Sequence, residues 1–128
     1  MVIRNKYLPL GDFKVMNILG FLFVREEVEV SPTILRHEAI HTRQQRELLI
    51  LSLIIALPFA SWWSIPIALV MPFILYFLAW LIELVLPPYG TAYKDSPFER
   101  EAYANQYYPN YLDSRPMFAW VKYIINER

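Results

Sequence analysis

The sequence predicts an α+β fold that is mostly α. The expected elements are a small N-terminal β-hairpin, a long helix running into a helical hairpin, a second polar helix and a short C-terminal helix. Three observations carry this. Residues 15–30, VMNILGFLFVREEVEV, are rich in Val, Phe and Ile and end in alternating apolar and charged positions, the period-2 pattern of a half-buried strand. Ser31-Pro32 and Ser96-Pro97 each have the form of a helix start, with a hydroxyl at the N-cap and proline at the first helical position. Between these starts, from Leu48 to Ile82, there is no charged residue.

Taken in order, residues 1–14 are mixed, with a turn expected near Pro9-Leu10-Gly11-Asp12. In the strand region Val24, Val28 and Val30 point inward and Arg25 and Glu29 outward, and FLFVREEV (21–28) is the candidate edge strand. A helix from Pro32 runs through His37 and His41 straight into the uncharged run. Pro58 and Pro66 flank Trp62-Trp63, so the run folds back on itself: about 44–60 down, a turn at 61–65, about 66–86 back. A membrane helix needs about 20 apolar residues, and a chain this short has little protein to cover such a run. The hairpin (about 44–86) is therefore expected to be transmembrane, inserted into a single domain of residues 1–128. A full span and a re-entrant loop both fit, since the arm from Leu48 to Trp63 would be about 24 Å long as a helix. PPYGTAYKDSPFER (87–100) reads as a loop, followed by a helix from Pro97 to about Tyr107, a loop at YPNYLDSRP, and MFAWVKYIINER as a short closing helix.

Composition narrows the function. Hydrophobic residues make up 56% of the chain, above the roughly 45–50% of a soluble domain. Twelve basic and twelve acidic side chains cancel, so nothing in the charge balance points to nucleic acid. There is no cysteine, so disulfides and thiolate ligands are excluded and any metal must be held by His, Asp or Glu. Arg36, Arg43 and Arg46 flank one side of the hairpin, Lys94 and Arg100 the other, and the tip has no basic residue. The positive-inside rule then puts both termini, and any site beside them, on the cytoplasmic face of an integral membrane protein. The apolar run at 15–24 is followed by REEVEV rather than by small residues, so it does not read as a cleavable signal.

The chemistry lies in HEAIH, residues 37–41. On a helix, positions i and i+4 lie one above the other, so His37 and His41 can grip one Zn²⁺ from the same side. Glu38 sits about 100° round the helix, within reach of a water at the metal but not of the metal itself. That is the place of a general base. These are the only two histidines in the protein. A third ligand must come from elsewhere, and SPFEREAYANQ offers Glu99 and Glu101. They lie about 200° apart on a helix, so only one can face the metal.

H-E-x-x-H followed by a helical E-x-x-A, here Glu99-Arg100-Glu101-Ala102, resembles the gluzincin metallopeptidases. It resembles most their integral-membrane branch, the heat-shock and prenyl-protein processing type, in which a membrane hairpin can separate the two ligand helices. The resemblance covers about residues 31–105. It implies His37, His41 and Glu99 as zinc ligands and Glu38 as the catalytic base. In that branch an Asp follows the Ala, where this chain has Tyr103, and an acid–amide spacing would instead match Glu101 with Asn105. HEAIHTRQQ also resembles bacterial zincin-like domains with a Gln pair after the motif, although exposure on the helix surface is the simpler reading of Gln44 and Gln45. By the same analogy, the strand at 21–28 would hold an extended substrate by strand addition.

The expected function is a small zinc metallopeptidase that cuts peptides or membrane proteins close to the lipid, with a second copy or a partner subunit completing a short cleft. The rival expectation is a non-catalytic membrane-anchored interaction protein whose metal site is structural or vestigial. Three further features read more simply as structural. Tyr103, Tyr107, Tyr108 and Tyr111 form a packing cluster that could include an oxyanion donor. Glu83 lies at the end of the second arm, and Arg100 reads as a solvated helix face.

Overall fold

The computed structural model describes residues 1–9, 14–59, 61–85 and 96–125, and within them the side chains of all but 59, 76, 79–85 and 125. The expected turn at 9–12 and the loop at 87–100 fall largely outside the described residues, as do the side chains of Glu83 and Lys94. The fold is α+β and mostly helical, with one three-stranded sheet.

The strands are β1 (Val2–Asn5), β2 (Val15–Ile18) and β3 (Phe21–Arg25). β2 and β3 form an antiparallel hairpin joined by Leu19-Gly20, with φ of 51° and 99°. Positive φ at both turn positions suits the right-handed twist of the flanking strands. Gly20 is also needed for space, because a Cβ there would lie 3.3 Å from Thr42 Cγ2. β1 pairs with β3 in parallel, so the sheet order is β1-β3-β2. This corrects the expected edge strand. The segment at 21–28 is a strand only to Arg25, and it is the central strand of the sheet. Four N-terminal residues with no strong strand pattern fill its second side, which leaves β2 as the edge facing the helices.

α1 runs from Pro32 to Ala56. Ser31 caps it, its hydroxyl accepting from the Ile34 N–H at 3.3 Å. α1 buries Ile40, His41, Gln44, Glu47, Leu48 and Ser52, a single stripe at helical spacing. A short 3₁₀ turn (Leu57–Phe59) ends it, and α2 (Ser64–Val85) returns along it. α3 (Pro97–Asn105) starts at Ser96, whose hydroxyl accepts from the Glu99 N–H at 3.3 Å, and crosses α1. The chain closes with α4 (Tyr111–Ser114), a 3₁₀ turn (Ala119–Val121) and α5 (Lys122–Ile125) in place of one continuous C-terminal helix. Phe118, at φ 56°, breaks the helical path there. Val24, Leu22, Ile40, Leu48, Ala68, Phe98, Ala102 and Ala119 form the buried apolar core.

The helical hairpin is present, but its expected role is overturned. Among the described residues no helix is long and apolar enough to cross a membrane. The transmembrane hairpin, and with it the integral-membrane placement of both termini, is therefore withdrawn. α1 shows why a run without charges was misleading. Its charged residues continue to Glu47, so its apolar part, Leu48–Ala56, is only about 14 Å long. A hydrocarbon core is about 30 Å thick. α2 has Pro72 in its interior and buries Ala68 and Pro72.

Candidate metal centre

Two helices bring three ligand atoms to one point. On α1, the one-turn spacing stacks the rings of His37 and His41 edge to face, with centroids 4.7 Å apart. α3 presents Glu99 from its first turn, three residues after its capping serine, where the helix dipole favours a carboxylate. His37 Nε2 and His41 Nε2 are 3.0 Å apart. Glu99 places one oxygen 3.2 Å from His37 Nε2 and the other 3.2 Å from His41 Nε2. The three side chains form a group that could hold a metal ion, with His41 and Glu99 buried. Glu101 is equally buried but faces away from this point. Of the two glutamates left open by the sequence, Glu99 is the one beside the histidines.

Hydrogen bonds set the ring orientations. His41 Nδ1 lies 2.7 Å from Gln44 Oε1. The Gln44 amide cannot be reversed, because its nitrogen donates to Phe98 O and to Glu101 Oε2, both at 3.0 Å, and both of these only accept. His41 Nδ1 must therefore carry the proton, which leaves the Nε2 lone pair aimed at the centre. His37 repeats the pattern, its Nδ1 lying 3.1 Å from Gln106 Oε1. Two imidazole lone pairs and a carboxylate converging on one point call for a cation there, either a proton or a metal ion. The titration directions agree. Burial pushes the Glu99 carboxyl up, but hydrogen bonds from His37 and His41 outweigh it and hold its pKa well below the ordinary value. Burial lowers His41, but Glu99, and to a lesser degree Glu38, raise it above its ordinary value.

Glu38 and β2 complete the surroundings. Asn17 on β2 donates to the Glu38 carbonyl at 2.6 Å and to Thr42 Oγ1 at 3.0 Å, and its own Oδ1 accepts from the Gly20 N–H at 3.0 Å. One side chain thus ties the hairpin turn to the helix at the motif. Burial raises the Glu38 pKa, with Glu99 pushing the same way and His41 and His37 opposing. Glu38, His41 and Glu99 line a cleft of about 510 Å³ together with residues of β2 and α2. Tyr103, in the position where the resembled branch has Asp, sets its ring edge against His37 at 4.7 Å. Its hydroxyl pKa is raised by burial, then by Glu99 and Glu38.

Several expectations change here. Gln44 and Gln45 are not exposed helix-surface residues. Gln44 is fully buried, and Gln45 bridges Asn17 O (2.9 Å) and the Leu19 N–H (2.6 Å). The signal for Gln44 was present in its spacing, since it follows His41 by three residues on the stripe that also buries Ile40, Glu47 and Leu48. Glu101 belongs to a second buried cluster in which Arg115 holds both Glu101 and Glu47. Tyr111 OH donates to Glu101 at 2.9 Å and Trp120 Nε1 to Glu47 at 3.1 Å. Arg100 donates to Tyr123 O at 2.8 Å rather than facing only solvent. Of the other tyrosines, Tyr107 and Tyr108 are exposed. Nothing local in the sequence marks Gln106 or Arg115, because each reaches its partner across about 70 residues of chain.

No family model, curated protein or solved structure matches this chain. The likeness to gluzincins rests on His37–His41 and on Glu99–Ala102 alone.

Proposed function

We propose that the protein is a zinc-dependent hydrolase of peptide bonds, with His37, His41 and Glu99 as ligands and Glu38 as general base. The observation that carries the reading is that the two Nε2 atoms lie 3.0 Å apart and each is 3.2 Å from a different oxygen of Glu99. Zinc bonds of about 2.0–2.1 Å in a tetrahedron put neighbouring ligand atoms about 3.3–3.4 Å apart. The cluster is within a few tenths of an ångström of that spacing, and two imidazoles with one carboxylate are a common zinc donor set.

A bound zinc ion would supply Lewis-acid polarisation of a carbonyl oxygen and acidify water. The chain's own groups do the rest. Gln44 keeps His41 Nδ1 protonated, so that its Nε2 is available as a ligand, and Gln106 faces the Nδ1 of His37. Glu38 accepts a proton from the attacking water and hands it to the leaving amine nitrogen. A carboxyl with a raised pKa suits both halves of that transfer. A purely structural site would have no use for Glu38 beside the first ligand.

The test is metal content joined to turnover. The native chain should hold about one zinc. That zinc should be lost in His41→Ala and Glu99→Ala and kept in Glu38→Gln and Glu101→Ala. Peptide hydrolysis by Glu38→Gln should fall by about 10²–10⁴-fold. Zinc bound by the native chain with hydrolysis unchanged in Glu38→Gln would leave a structural site. No zinc after reconstitution would remove the proposal.

A further inference from the structure

Building on the metallohydrolase reading above, we infer that the cleft between β2 and α2 selects the substrate by one large apolar side chain next to the bond that is cut. Glu38, His41 and Glu99 share the lining of the cleft with two apolar walls. Val15, Met16 and Ile18 of β2 form one wall; Pro72, Phe73 and Phe77 of α2 form the other. The hairpin that looked built for lipid thus supplies one side of the substrate site. At about 510 Å³ the cleft falls within the roughly 300–1,000 Å³ of pockets that hold small ligands.

Two features decide what it takes. The first is charge. No Lys or Arg is among the described residues lining the cleft, and its two acids, Glu38 and Glu99, are those of the proposed reacting group. An acidic side chain would find no partner and would meet like charge, and a basic one would have to leave water for an apolar wall. An aromatic or large aliphatic side chain removes its own surface and that of Phe73 and Ile18 from water, both now more than a third exposed.

The second feature is the state of the sheet edge. β2 is an edge strand, but Gln45 already takes the Asn17 carbonyl and the Leu19 N–H. An extended peptide cannot pair with β2 beyond Asn17 while that amide is in place. Backbone pairing is confined to a short stretch near Val15, and main-chain hydrogen bonds read no side chains in any case. Discrimination therefore falls to the cleft.

The test uses the zinc-loaded full chain and three hydroxamates that differ only in their arm: acetohydroxamate, one with a benzyl arm and one with a carboxymethyl arm. Binding is measured by calorimetry. Acetohydroxamate reports the metal and needs no cleft. The benzyl compound should bind at least about tenfold tighter than acetohydroxamate, and the carboxymethyl compound no tighter. Phe73→Asp and Ile18→Asp, on opposite walls at partly exposed positions, should each erase the benzyl gain and leave acetohydroxamate binding unchanged. Either variant suffices if the other does not fold. Equal affinity of the native chain for the benzyl compound and acetohydroxamate would overturn the cleft inference while the metal site stands. So would a benzyl gain that survives both variants. Failure of acetohydroxamate itself to bind would remove the metal reading and this inference together.

Discussion

Replacing Arg115 with Met should destabilise the fold by about 3–5 kcal/mol. Arg115 lies between two carboxylates. Its guanidinium donates to both oxygens of Glu101 and both oxygens of Glu47, and the side chains of the three are 3%, 0% and 8% exposed. Burial alone would lower the Arg115 pKa, but Glu101 and Glu47 raise it well above its ordinary value, so the charge is firmly held. Tyr111, Trp120 and Gln44 donate to the same two carboxylates, but all three are neutral. Without the guanidinium, two buried negative charges face each other with no counter-charge. An exposed pair would contribute only about 0–1 kcal/mol, so the magnitude separates a buried clasp from a surface contact. For a chain of this size, about 4 °C per kcal/mol gives a fall in Tm of about 12–20 °C. Thermal and urea unfolding of the metal-free protein, followed by circular dichroism, would measure it without metal linkage. Replacing Glu47 and Glu101 by Gln together with Arg115→Met should recover much of the loss, because no charge is then left buried. A loss below about 1 kcal/mol for the single variant would refute the reasoning.

Three further outcomes follow from the site and the hairpin. Gln44→Leu should weaken zinc binding by about 10–100-fold without changing its stoichiometry, as read by chelator competition, because the proton on His41 Nδ1 loses its acceptor. The metal-free protein should be most stable in mildly acidic solution. The raised His41 pKa gives stability present below its ordinary 6.5 and lost as pH rises through the folded value. The lowered Glu99 pKa gives stability present above its ordinary 4.5 and lost as pH falls. Zinc must displace the proton on His41, so zinc affinity should instead climb with pH. Melting curves of the metal-free form that rise steadily into alkaline solution would contradict this, as would zinc affinity independent of pH. Gly20→Ala should cost about 1–2 kcal/mol, since a side chain at φ 99° is strained and its Cβ would press on Thr42; urea unfolding with no change would contradict the turn geometry.

The parts of the fold legible in the sequence were those with a local physical cause. Ser31-Pro32 and Ser96-Pro97 start helices because a hydroxyl and a proline act on the very next turn. β2 and β3 carry enough Val and Phe to stand out, and Pro58 marks the end of α1 closely. β1 was missed because its strand state comes from pairing with β3 and not from its own four residues. The membrane expectation failed for a related reason. Absence of charge measures what a segment lacks. It does not say how that length divides between helices.

The same division runs through the candidate site. His37, Glu38 and His41 could be read because one helical turn fixes their mutual placement, and Glu99 because only one of two acids on a nine-residue helix can face a given neighbour. What decides between Glu99 and Glu101 is not local at all. Glu101 is withheld from the cluster by Arg115, Tyr111 and Gln44, and Gln44 is also what orients His41. One amide therefore does two things: its nitrogen holds the unused acid away, and its oxygen aims the imidazole at the centre. The His37–His41–Glu99 group and the buried ion cluster are halves of one hydrogen-bonded arrangement linking α1 and α3. A change at Arg115 should accordingly reach the metal centre through Glu101 and Gln44, with zinc affinity falling in Arg115→Met even under conditions where the variant is fully folded.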